Sequence, residues 1–364
     1  DLRQRLDPVL QLPVGKVPNR LLSGYFSHFG GGPGTVDSSI LVGPGIGEDS
    51  AIVDIGEGPL LAIKSDPITF ASADAIRDAL LVNANDIATC GAQPRWYMCT
   101  LLFPEGTAEC EVDEAFRVLS ARAAEMGISL CGGHTEITDA VSRLVVSGTL
   151  LGQVSRNDLV RKRGMREGDA IVLTKAAGLE GTAIFATGFE DELVLAGLSV
   201  SELAEAASFR NEMSIVAEAR IARTDSTAMH DVTEGGIATA LAEFAAAGGH
   251  SLRVDLERIP LRAATRRICE ALGVDPLGLI GSGALLITCA GAAVPGLVRR
   301  LADSGIRAEV IGEVGKPVTS GGPTAVEARR GVDIVPMPTF EVDELARLFA
   351  RRQESRSMAP STLP

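Results

Sequence analysis

The sequence predicts two domains, an N-terminal α+β unit followed by a C-terminal α/β unit. Three observations carry that reading. A chain of 364 residues is long enough to bury two cores of ordinary size. Hydrophobic residues make up 46% of it and Phe, Trp and Tyr only 4%, so the cores are built from Ala, Val, Leu and Ile. Strand-like and helix-like stretches alternate, and 40 glycines mark tight turns and close backbone approaches. The divisions fall at 1–38 (an N-terminal segment with a Gly-rich loop), 39–158, 159–320, and a C-terminal extension over 321–364.

Residues 17–29, VPNRLLSGYFSHF, carry a short helical pattern and lead into GGGPG at 30–34, a flexible loop. From about 40 to 154 the order reads strand, strand, helix, strand, helix, strand, strand. The first helix, about 74–90, has Asp74 as its cap, Ile76, Leu80 and Ile87 on one face, and Gly91 as its stop. RWYMCTLLF at 95–103 is a strand. The helix over 112–126 places Phe116, Leu119, Ala123 and Met126 on one face, and RLVVSGTLLGQV at 143–154 closes the unit as a long strand. That order suits helices on one side of a mixed sheet. A polar stretch, SRNDLVRKRGMREGD at 155–169, then separates the halves. AIVLT at 170–174 is a strand leading to Lys175 and a glycine-rich helix start, GLEGTAIFA. Helices follow at about 199–222, 235–247, 261–272 and 291–304, with strands near 227–232, 251–255, 284–289 and 307–314. Beyond 315 the chain is rich in Pro and Gly, with an amphipathic stretch at 341–351 and a disordered tail, SRSMAPSTLP.

The net charge of −13, with no basic run of five residues, argues against nucleic acid as a partner. The densest basic spot, RKRGMR at 161–166, reads as a solvated turn because Glu167 and Asp169 follow it. Six cysteines show no C-x-x-C and no metal-ligand spacing, so they read as buried free thiols of a reducing cytoplasm. No uninterrupted apolar run has membrane-spanning length.

Chemistry is offered by five short motifs: GEDSAIV at 47–53, KSDPIT at 64–69, NANDIATCGA at 83–92, CGGHTEIT at 131–138 and HDVTEGGIATAL at 230–241. Each sets an Asp, Asn or Glu beside small residues. Carboxylates gathered together repel unless a cation lies between them, and Mg²⁺ with a polyphosphate is a common solution. Asn83 and Asp86, three apart, share a helix face with Ile76 and Leu80. Polar groups on an inward face need partners, either a metal or phosphate-bound water or a buried hydrogen-bond network. The glycines of CGGHT and of VTEGG suit backbone N–H contact with an anion, and equally suit turns and helix caps. No Walker A loop, dinucleotide fingerprint, serine nucleophile elbow or H-E-x-x-H is present.

With these five motifs in this order, the chain resembles the superfamily of aminoimidazole ribonucleotide synthetase (PurM-type), and within it the hydrogenase maturation factor HypE and its relatives. The resemblance runs over about 35–320 and includes SGALLIT at 282–288. It implies a PurM-like two-domain fold whose N-terminal sheet pairs across a homodimer into a β-barrel. ATP and Mg²⁺ lie between subunits, and the γ-phosphate passes to a carbonyl or amide oxygen of a small substrate. By the resemblance, Asp49, Asp66 and Asp86 hold Mg²⁺ and phosphates, with Glu48 beside them. Gly132, Gly133 and Thr135 approach the nucleotide from the loop after a strand, and Lys16 and Lys64 balance phosphate charge. Asp86, Asp231 and Asn83 form the candidate catalytic set, with Thr233 facing the reacting group. His134 stands where many relatives carry Asp, and the sequence ends in APSTLP where the maturation factor has a cysteine. Carbamoyl dehydration of the HypE type is therefore not expected. The alternative is a nucleotide-binding scaffold, or partner of maturation proteins, without turnover.

Overall fold

The computed structural model describes residues 17–29, 37–69, 74–318 and 326–358; Lys16 and the glycine-rich loop at 30–36 lie outside them. The first unit runs α1 (Asn19–Phe29), β1 (Ile40–Val42), β2 (Ala51–Val53), β3 (Leu60–Ile68), α2 (Ala75–Thr89), β4 (Gln93–Pro104), α3 (Glu109–Glu125), β5 (Ser129–Thr138) and β6 (Val145–Val154). Its six strands are ordered β1-β2-β3-β6-β4-β5. All neighbours are antiparallel except β4 and β5, which α3 connects as a parallel pair. Strand alternation decides which face is covered. Tyr97, Cys99, Leu101 and Phe103 point under α2 and α3, whereas Met98 on the opposite face is 41% exposed. Helices thus lie on one side of a mixed sheet, and the other side is open.

The second unit begins after a 3-10 turn at Lys162–Gly164. It comprises β7 (Ala170–Thr174), α4 (Leu179–Gly188), α5 (Glu190–Leu195), α6 (Val200–Ser208), α7 (Val216–Ala222), β8 (Ser226–Asp231), α8 (Gly236–Gly248), β9 (His250–Asp255), α9 (Ala263–Leu272), β10 (Leu285–Cys289), α10 (Val294–Asp303), β11 (Ala308–Pro317), β12 (Val326–Arg330), β13 (Asp333–Pro336) and α11 (Glu344–Met358). The strand order is β13-β12-β9-β11-β7-β10-β8. Central β7 and β10 are apolar on both faces because helices cover both. Ile237, Leu241 and Phe244 of α8 pack on one side; Ala219, Ala222, Leu297 and Leu301 of α7 and α10 pack on the other.

Between the sheets lies α2, in which only Arg77 and Val82 escape burial. Ile76, Leu80 and Ile87 belong to the first core, while Ala88 packs in a cluster shared with the second unit. Being covered all round, this helix has no solvent face for its polar residues.

Several expectations are corrected. Three strands, β1, β2 and β3, precede α2 in place of the expected two. In α3 the inward position is taken by Ala115, and Phe116 is 47% exposed. The helix expected over 199–222 breaks into α6, a 3-10 turn at Phe209–Glu212 and α7. There the carbonyls of Glu212, Met213 and Ser214 are taken by side chains of Lys175 and Asn85 instead of helical N–H groups. Within the extension placed at 321–364, described residues pack on the second unit: β12 runs parallel to β9, and Leu345 of α11 enters a core with Leu179, Phe185 and Ile268. Helix α11 continues to Met358, inside the tail expected to be disordered; 359–364 lie outside the described residues.

Gly148 on β6 tests the tightness of the first core. A Cβ there would lie 2.2 Å from the hydroxyl of fully buried Tyr97. Gly148→Ala is expected to cost about 1–3 kcal/mol through overpacking, read as a lowered urea midpoint with unchanged m; an unchanged midpoint contradicts this packing.

Candidate functional site

The three polar residues of NAND at 83–86 have three different jobs. Asn83 donates to the carbonyls of Asp66 (3.1 Å) and Ala79 (2.7 Å) and accepts from the Asp66 N–H (3.0 Å). Its amide is saturated and fully buried, so it brackets β3 against α2 rather than facing a substrate. Asn85 turns toward the second unit, donating to the Met213 carbonyl and accepting from the Ile215 N–H, each at 2.9 Å. Asp86 is left to face Lys64, whose Nζ lies 3.3 Å from Asp86 Oδ2 and 3.1 Å from Asp66 Oδ2.

The other half of the cluster comes from the ends of β2 and β8. Asp49 Oδ1 lies 2.8 Å from His230 Nδ1, and its Oδ2 lies 2.5 Å from Lys162 Nζ, which also donates to the Met229 carbonyl at 2.9 Å. Ligand atoms of Asp49, His230 and Asp231 fall within 4.8 Å of one another, all three buried. Glu243 of α8 stands behind the imidazole, 3.6 Å from Nε2, an ion-pair distance longer than a hydrogen bond. Asn19 of α1 donates to its other oxygen at 2.8 Å. Lys162 is only 6% exposed, so RKRGMR is a solvated turn only in its arginines: its one lysine is drawn inward by a buried carboxylate.

Charge is unevenly matched here. Burial alone would raise the Asp49 carboxyl, but His230 and Lys162 outweigh it and hold the group well below the usual carboxylate range. Burial likewise works against the His230 cation, yet Asp49 beside it lifts the imidazole to about 9. Lys64 stays firmly protonated against its burial because of Asp86, Asp66 and Asp49. The two remaining acids fare differently. Burial pushes Asp86 well above the ordinary value, and Asp231, Asp66 and Asp49 add to the rise that Lys64 opposes. Burial also raises Asp231, to about 6, with Asp49 contributing. Asp86 and Asp231 are buried carboxyls whose negative charge the neighbouring cations offset only in part. Carboxylate oxygens are the donors Mg²⁺ prefers, and a divalent cation would relieve the repulsion that Asp231, Asp66 and Asp49 exert on Asp86.

The remaining expected residues lie further off. Gly132, Gly133 and Thr135 are in strand β5 itself, not in a loop after it. Gly133 shares a row with Asp66 across Gly148 and Cys99, roughly 14 Å away at three strand spacings. Its glycine answers first to packing, since a Cβ would fall 1.9 Å from the Cys99 carbonyl oxygen. The whole edge strand is exposed, with His134 Nε2 3.3 Å from Glu136 Oε2. Cys131 on it is exposed, as is Cys110, contrary to the buried-thiol expectation. Thr233 uses its carbonyl to accept from the Gly236 and Gly281 N–H groups, closing the turn into α8. At that helix N-terminus the Gly235 N–H already donates to Asp343 Oδ2 at 2.6 Å. Sequence reasoning missed Lys162, His230, Glu243, Asn85 and Asp343; of these only His230 and Asn85 lay inside motifs singled out.

Glu180, in the first turn of α4, lies at the same end as Asp343. Burial lifts its carboxyl to about 7, with Asp78 and Asp343 adding and Ser282 opposing. A carboxyl raised from 4.5 contributes its stability at low pH and loses it as pH rises toward 7. The melting temperature of the wild type should therefore fall more steeply from pH 4.5 to 7 than that of Glu180→Gln; parallel profiles contradict the assignment.

Comparison with known proteins places this geometry. Residues 47–154 match the family model for the N-terminal domain of AIR synthase related proteins, and 166–321 match the C-terminal domain model. The chain is 27% identical over 251 residues to carbamoyl dehydratase HypE of Escherichia coli, covering 66% of this chain and 72% of that protein. It is 28% identical over 246 residues to a selenide, water dikinase of Geobacter metallireducens, covering 66% and 68%. In fold it is similar to the hydrogenase maturation protein HypE crystallised with ATP, with a TM-score of 0.66, 22% identity, and coverage of 82% and 90%. Two matched domains in order, on a two-sheet frame of the HypE kind, make the chain a member of the AIR synthase related (PurM-like) family.

Proposed function

We propose that the protein is an ATP- and Mg²⁺-dependent enzyme that activates a carbonyl or amide oxygen of a small substrate by phosphoryl transfer. The observation that carries this reading is the pair of buried, only partly compensated carboxyls, Asp86 from the first unit and Asp231 from the second. Support comes from the relatives: a carbamoyl dehydratase, a selenide, water dikinase and a HypE structure holding ATP.

Asp66, Asp86 and Asp231 would hold the ion, with Asp49 next to them. Bound Mg²⁺ supplies neutralisation of the phosphate charge that builds up during transfer. Lys64 offers a fixed cation beside Asp66 and Asp86, suited to a phosphate oxygen. Asp49 keeps His230 protonated and in place, and Glu243 sets the tilt of the ring from behind. In a homodimer formed through the open sheet and edge strand β5, Gly132, Gly133 and Thr135 would reach nucleotide shared between subunits. Catalysis is then mostly positioning and charge neutralisation.

One observation favours a second reading, a nucleotide-binding scaffold or maturation partner without turnover. Both oxygens of Asp49 are already engaged, by His230 and Lys162.

Calorimetric titration with a non-hydrolysable ATP analogue, with and without Mg²⁺, tests the site, and ATP hydrolysis across small amides and acids separates the readings. Mg²⁺-dependent binding is expected, weakened roughly 10- to 100-fold in Asp86→Ala. Wild-type binding indifferent to Mg²⁺, or to this substitution, would sink the proposal.

A further inference from the structure

The break between α6 and α7 is one of the places where the two units are joined. Lys175 has φ +54°, among the described residues the one non-glycine position in the left-handed region. That strained backbone sends its side chain under the break. Nζ donates to the carbonyls of Glu212 (2.8 Å), Ser214 (2.6 Å) and Gly283 (3.0 Å) and pairs with the buried carboxylate of Glu218. From the opposite side Asn85 holds the Met213 carbonyl and the Ile215 N–H. Gly283 closes the grip: a Cβ on it would lie 2.6 Å from the Glu212 carbonyl oxygen. Residues 212–215 are thus held by side chains of both units at once.

The grip leads to the two acids of the site. Asn85 immediately precedes Asp86 in α2. Lys175 immediately follows Thr174, whose Oγ1 accepts from the Leu285 N–H at 3.0 Å. Leu285 is the ladder partner of Asp231. An unbroken series of covalent and hydrogen-bonded steps therefore runs from Asp86 through 212–215 to Asp231.

We propose that Asn85 and Lys175 are positioning residues: gripping 212–215 from opposite sides, they fix Asp86 relative to Asp231 and so set the affinity of the pair for a divalent cation. The cation rests on the proposed function; the mechanical linkage does not. Neither residue touches the ion, and each acts through the segment between them. Groups that act as one unit give non-additive losses.

The test uses the full chain and Mn²⁺ alone as probe, followed by electron paramagnetic resonance, beside hydrogen exchange on the same samples. Asn85→Ala and Lys175→Met are each expected to weaken Mn²⁺ binding at least tenfold, and the double variant to lose no more than the worse single. Exchange should accelerate in both 82–90 and 209–216 for either single variant, which a purely local defect would not produce. Additive losses, or acceleration confined to the side of the substitution, overturn the proposal. Should the wild type bind no Mn²⁺, the site assignment fails while the exchange pattern still decides the linkage. If a variant does not fold, Asn85→Ser, which keeps a small polar group at the break, takes its place under the same criteria.

Discussion

Everything at this site depends on the burial of one helix. Because α2 is wedged between two sheets, it has no water-facing side, and each polar group it carries must be satisfied within the protein. Asn83 is satisfied by β3, and Asn85 by the break between α6 and α7. Asp86 meets a single lysine and three other aspartates close enough to raise it. The same packing that defines the helix therefore leaves one carboxyl without a full set of partners, at the place where the two units meet.

Two electrostatic solutions sit side by side. Around Asp49 the charges close: a lysine from the interdomain segment and a histidine from β8 offset one carboxylate, and Glu243 offsets the histidine. Around Asp86 and Asp231 they do not. A buried ion pair missing one member is expensive, and proton uptake or cation binding are the ways to relieve it. The raised carboxyls are the first of these responses and indicate where the second belongs. In this respect the site is a frustrated cluster held in place by a satisfied one.

Much of the frame was legible in the sequence because it obeys local rules. The strands at 95–103 and 170–174 and the stop at Gly91 follow from alternation, apolar runs and glycine's tolerance of positive φ. The motif positions of Asp66, Asp86 and Asp231 could be read as well, since each is an acid set among small residues. What could not be read depends on distant partners. Nothing local distinguishes Lys162 from its neighbours in RKRGMR; only Asp49, 113 positions away, makes it a buried residue. Likewise the division of labour between Asn83 and Asn85 depends on which sheet each faces. The break at 209–215 has good helix formers on both sides and is decided by Lys175, 37 residues earlier in the chain. Gly133 carries a second signal, because close packing of β5 on β4 also requires glycine there, whereas Gly132 meets only ordinary contact.

The central claim is that Asp86 and Asp231 are buried, only partly compensated carboxyls awaiting a cation. Carbon-13 NMR titration of aspartate-labelled protein, free of metal and then with Mg²⁺, tests it most directly. The account predicts at least one aspartate carboxyl titrating clearly above the ordinary 3.8, absent in Asp86→Asn and brought down by Mg²⁺. If all aspartates titrate at or below that value, or if Mg²⁺ leaves the raised one in place, the account is contradicted.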